Sequence, residues 1–142
     1  MFWLFGKRKE QELETEIKFI KDEISRSKRL GFQFGVLVVE VPHSAPRGLS
    51  KVMPGKAISF HVLDKHLRLY DKIVEPKQQR RYYIILPQTK KNGLNVVVQR
   101  IYELSKEHKW GDVLIGAAVY PEDGESPEAL LDKAILGCSL EK

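Results

Sequence analysis

The chain has 142 residues, 42% of them hydrophobic and 30% charged, which fits one soluble globular domain long enough to bury a core. Its formal net charge of +5 is a mild excess, compatible with a phosphate-bearing ligand but not sufficient to establish one. A single cysteine, Cys138, excludes an internal disulfide and any multi-cysteine metal site, and no stretch approaches the roughly 20 apolar residues that span a bilayer.

Residues 1–9 (MFWLFGKRK) are apolar and then basic, without the apolar length and cleavage site of a signal peptide. They read as an extension preceding a domain over residues 10–142. A disordered or core-packed terminus is the favoured reading, with peripheral contact to a membrane surface as the alternative. The cytoplasm is the default location.

The first expected element is a helix over Glu10–Leu30. Leu13, Ile17, Ile20 and Ile24 form one apolar stripe. Glutamates lead and basic residues (Arg26, Lys28, Arg29) close it, which complements the helix dipole, and Gly31 supplies the stop. Phe32–Val41 (FQFGVLVVEV) is apolar nearly throughout and reads as a central strand buried on both faces. Residues 42–55, rich in Pro and Gly, read as loop. A second helix is expected over Ala57–Tyr70, then a short strand over Lys72–Val74, a turn over Pro76–Arg81 and a buried strand over Tyr82–Leu86 ended by Pro87. A third helix over Asn92–His108 carries Leu94, Val97, Val98, Ile101, Tyr102 and Leu104. Val113–Val119 is another buried strand. After the loop PEDGES, Ser126 is an N-cap and Pro127 the first residue of a last helix running to about Leu140. Helices alternating with strands in this order indicate an α/β sandwich with a central mixed or antiparallel sheet flanked by helices.

Several residues invite a chemical reading that their context does not support. His43, His61, His66 and His108 show no metal-ligand spacing. Ser44 and Ser59 lack a base that would make them nucleophiles. Cys138 reads as a packed small side chain and Trp110 as a packing anchor.

In order and at near-family spacing, ISRSKRLGFQF–VLVVEV, YYIILPQT, VVVQRIYE and VLIGAAVYPEDGESPEALLDKA resemble the GGDEF family, the diguanylate cyclase domains that make cyclic di-GMP from two GTP. The resemblance covers Glu12 to Lys142 and implies the nucleotide-cyclase-like fold with a ferredoxin-like core. The family's signature then falls on Gln78, Gln79, Arg80, Arg81 and Tyr82. Both glycines, which let backbone approach the nucleotide, are replaced, and two arginines stand where the acidic pair is expected. The family's metal-binding Asp corresponds to Glu40, followed by Val41 and Pro42. Gly48 and Lys56 stand near the positions of guanine-binding polar residues, Lys142 matches a phosphate-contacting lysine, and the run that normally opens the domain is missing. On these grounds the signature is degenerate, no metal or other cofactor is expected, and the chain is expected not to be an enzyme, because two-metal phosphoryl transfer depends on those acids. Residual turnover through Glu40 is a minor alternative.

The resemblance also implies a product-binding site. Arg68-Leu69-Tyr70-Asp71 matches the family's inhibitory Arg-x-x-Asp motif, with six residues between Asp71 and Gln78, one more than usual. Arg100 falls on the further arginine that completes that site. An arginine fork can grip a guanine O6/N7 edge or a phosphate, and Asp accepts from the guanine N1–H and N2–H₂ edge. Each residue also has an ordinary structural role open to it: Asp71 turning the chain into a strand, Arg68 paired with Asp64 along a helix, Arg80 and Arg81 solvated on a hairpin. The expected function is a cyclic di-GMP receptor or regulatory module using Arg68, Asp71 and Arg100, acting on a protein partner or in a homodimer, with no nucleic-acid partner. The alternative is a nucleotide-free interaction or dimerisation scaffold.

Overall fold

The computed structural model describes residues 13–40, 71–74 and 81–140. The loop expected over 42–55, the helix over Ala57–Tyr70 and the turn before Arg81 therefore lie largely or wholly outside the described residues, as do residues 1–9. In chain order the described elements are α1 (Glu14–Leu30), β1 (Phe34–Glu40), β2 (Lys72–Val74), β3 (Arg81–Leu86), α2 (Lys91–Glu107), β4 (Leu114–Tyr120) and α3 (Pro127–Leu140). The strands form one sheet in the order β2-β3-β1-β4. Every described pairing is antiparallel. None of the described helices is long and apolar enough to cross a membrane.

Strand alternation divides the core in two. Phe34, Val36 and Val38 of β1, Tyr83 and Ile85 of β3, and Ala118 and Tyr120 of β4 face α1 and α3, where they meet Leu13, Ile20, Ile24, Leu130, Leu131, Ala134 and Cys138. Phe34 and Tyr120, directly opposite in register, stack with ring centroids 5.1 Å apart. The residues between them, Leu37, Val39, Tyr82, Ile84, Leu86, Ile115 and Val119, face α2 and pack with Leu94, Ile101, Leu104 and Trp110. A strand clothed on both faces must be apolar throughout. That is why β1 is buried from Phe34 to Val39 and becomes accessible only at Glu40.

The helix ends follow the local chemistry. Gly31 takes the left-handed conformation at φ 76°, and its N–H closes α1 on the Ser27 carbonyl at 2.7 Å. At α3 the Ala129 N–H donates to Ser126 Oγ at 3.1 Å, the expected cap. Cys138 is buried and its thiol donates to the Val38 carbonyl at 3.3 Å, a packing role. Trp110 is buried as an anchor.

The inner face of α1 is wider than its apolar stripe. Glu16, Glu23 and Ser27 are buried along with Ile20 and Ile24. Burial pushes the Glu23 carboxyl above the usual glutamate range, although Arg26, at 2.8 Å, and Lys72 pull it down.

Candidate functional site

Two groups of residues named from the sequence can be placed. The first lies at one end of the central strands. Glu40, the last residue of β1, is paired in register with Arg81, the first residue of β3. Both share parity with residues that face α1 and α3, so their side chains leave the sheet on the same side and meet. Arg81 Nε donates to Glu40 Oε1 at 3.3 Å, the two side chains being 22% and 37% exposed. Burial works against the Arg81 charge, but the Tyr83 hydroxyl and the Glu40 carboxylate outweigh it and hold the guanidinium above its usual range. Burial likewise pushes the Tyr83 phenol up. Glu40 is the acidic side chain in contact with the guanidinium.

Arg81 is thus not the solvated hairpin residue its sequence context indicates. It is a half-buried strand residue with a carboxylate partner. Tyr82, beside it, points to the other face and is buried under α2. Gln78, Gln79 and Arg80, the rest of the signature, lie outside the described residues.

By its resemblance to the GGDEF family, Glu40 stands where a metal-binding Asp is expected. Mg²⁺ and Ca²⁺ need oxygen donors, usually carboxylates, in a shell free of competing cations. At this strand end the carboxylate is already shared with a permanently charged guanidinium. Among the described residues no group of three His, Cys, Asp or Glu side chains gathers to hold a metal. The described residues at this strand end do not fit a divalent cation at Glu40.

The second group comprises Asp71 and Arg100. Arg68 lies outside the described residues. Asp71 immediately precedes β2 and is half-buried. Because Lys72 pairs with Ile85 and Ile73 packs in the α2-side core, alternation directs position 71 toward the α2 side, near the end of β3 from which the chain continues to α2. Arg100 is exposed on the third turn of α2, on the outer side of that helix, one turn beyond the exposed Val96. Asp71 and Arg100 therefore share one side of the sheet. Glu40 and Arg81 project to the other.

The fold is that of GGDEF domains. No protein-family model matches the chain, and no curated protein matches it either. Solved structures do. A sensory box/GGDEF family protein from Caulobacter crescentus superposes with TM-score 0.71 at 12% identity, over 90% of this chain and 90% of that one. Diguanylate cyclase SiaD from Pseudomonas aeruginosa, solved in complex with its activator SiaC, gives TM-score 0.71 at 16% identity over 89% of this chain and 52% of that one. The active GGEEF domain of a diguanylate cyclase from Vibrio cholerae gives 0.66 at 9% identity, over 81% and 80%.

These comparisons correct one expectation. The chain was expected from its signature not to be an enzyme, yet the solved structures with its fold include diguanylate cyclases. The substitutions at positions 78–82 therefore do not decide whether the chain is an enzyme.

Proposed function

We propose that this chain is a cyclic di-GMP signalling module that binds the dinucleotide through Arg68, Asp71 and Arg100. The observation that carries the reading is that Asp71 and Arg100, 29 positions apart in the sequence, lie on the same side of the sheet in a GGDEF-type fold. The chemistry suits the ligand. A carboxylate recognises the guanine N–H edge, and arginines take phosphate oxygens or stack on the purine. Binding then alters how the domain meets a protein partner or a second copy of itself. The SiaD–SiaC complex, in which a diguanylate cyclase is joined to a protein activator, supports a protein partner on this fold.

The test is calorimetric titration of cyclic di-GMP into wild type and Arg68→Ala, with GTP as control ligand. Micromolar binding by the wild type that GTP does not reproduce, and that Arg68→Ala loses, is the expected result. Absence of heat from folded wild-type protein at high ligand concentration would leave the nucleotide-free scaffold.

A further inference from the structure

The pairing of Glu40 with Arg81 has a consequence independent of the dinucleotide surface. The two residues are 41 apart in sequence and are brought together only by the β1–β3 register. Each is held on its own strand, so the contact needs no long flexible reach from either backbone. The guanidinium is also flanked by Tyr83, two residues along the same strand face, and is only 22% exposed. An arginine does not lose its proton in this setting. A cation entering at Glu40 would therefore meet a fixed positive charge already in contact with the carboxylate it needs. To make room, Arg81 would have to leave both Glu40 and Tyr83.

We propose that the Arg81 guanidinium is the resident cation of this strand end, occupying the place beside Glu40 that a divalent metal would require, so that whatever ligand this end of the sheet takes is bound without a divalent ion at Glu40. Arg81 neutralises Glu40 and fixes its orientation. The strand end thereby keeps a paired carboxylate whose charge balance does not depend on Mg²⁺ or Mn²⁺ in the medium. The proposal concerns the cation requirement alone and stands or falls separately from dinucleotide binding at Asp71 and Arg100.

The test uses Mn²⁺ as the probe, followed by its paramagnetic resonance signal and by the thermal midpoint of the purified protein. Wild type is expected to show no saturable Mn²⁺ binding at Glu40 and a midpoint unmoved by Mn²⁺. Arg81→Glu places two carboxylates opposite each other. Its midpoint should be lowered without metal, through like-charge repulsion across the pair, and raised again as Mn²⁺ binds. Arg81→Gln removes the positive charge without adding a negative one and covers the case in which Arg81→Glu fails to fold. It should show saturable Mn²⁺ binding where wild type shows none, and a second change, Glu40→Gln, should abolish it. Saturable Mn²⁺ binding by the wild type that is lost in Glu40→Gln would overturn the proposal. So would Arg81 variants that bind Mn²⁺ no better than wild type.

Discussion

Replacing Gly116 with alanine is expected to cost about 3 kcal/mol of folding stability, at the upper end of the range for overpacking a close-packed core. Gly116 lies in the middle of β4, opposite Val38, on the face that receives α3. A β-carbon at this position would stand 2.8 Å from the Ala134 carbonyl carbon and 2.9 Å from the Cys138 nitrogen, and closer still to the Ala134 oxygen. All of these are backbone atoms of α3, so no flexible side-chain tip can give way. The helix itself must lift. Lifting it would open the contacts of Leu130, Leu131, Ala134 and Cys138, each at most 1% exposed. The approach is close from both sides, since a β-carbon on Gly137 would stand 3.0 Å from Gly116 Cα. Thermal or urea denaturation reads the effect, as a fall in midpoint of roughly 10 °C. Gly31→Ala is the control. There φ is 76° and nothing lies within 4 Å of the added carbon, so the cost is conformational only, about 1 kcal/mol. If Gly116→Ala were no more destabilising than Gly31→Ala, α3 would not sit on β4 as described.

The second large effect is on binding. Arg100→Ala should leave stability within about 0.5 kcal/mol of wild type, as for an exposed side chain. Its affinity for cyclic di-GMP should fall by roughly tenfold to a hundredfold, the loss of about 1.5–3 kcal/mol that accompanies removal of a charged hydrogen-bond donor. The separation of the two effects follows from position. Arg100 is on the outer surface of α2, while Leu94, Ile101 and Leu104 on the inner side anchor the helix to the sheet. Arg100→Lys keeps the charge but loses the planar fork, and is expected to recover only part of the affinity. Measured side by side by titration and by thermal melting, an Arg100→Ala protein that binds as tightly as wild type would remove Arg100 from the site.

Much of the fold can be read locally because its causes are local. The left-handed turn at Gly31, the Ser126–Pro127 start of α3 and the unbroken apolar run of β1 each depend on residues close together in the chain, and all three stand as expected, with element ends differing by a few residues. The expected helix from Glu10 is described only from Glu14, and the strands at 82 and 113 are displaced by one residue, to Arg81 and Leu114. What sequence did not reveal depends on distant partners. Glu16 and Glu23 lie on the same side of α1 as Ile20 and Ile24, but a periodicity of apolar residues passes over them. Glu23 is accommodated there by Arg26 beside it and by Lys72, which arrives from β2. Arg81 beside Arg80 in a polar stretch looks solvated until the strand register sets it against Glu40. Gly116, in the run VLIGAAV, carries no local sign that a helix backbone will press on it. Of the candidate dinucleotide site, Asp71 and Arg100 were found through family resemblance, and no periodicity or spacing in the chain would have singled them out.

The most direct measurement is the map of backbone amide shifts in isotopically labelled protein as cyclic di-GMP is added. If the dinucleotide is bound as proposed, the shifts concentrate at Asp71 and Lys72 and along the outer turns of α2 around Val96 and Arg100, while Glu40 and Arg81 stay still. Shifts centred on Glu40 and Arg81, with Asp71 and Arg100 unmoved, would contradict the account and place the ligand on the opposite side of the sheet.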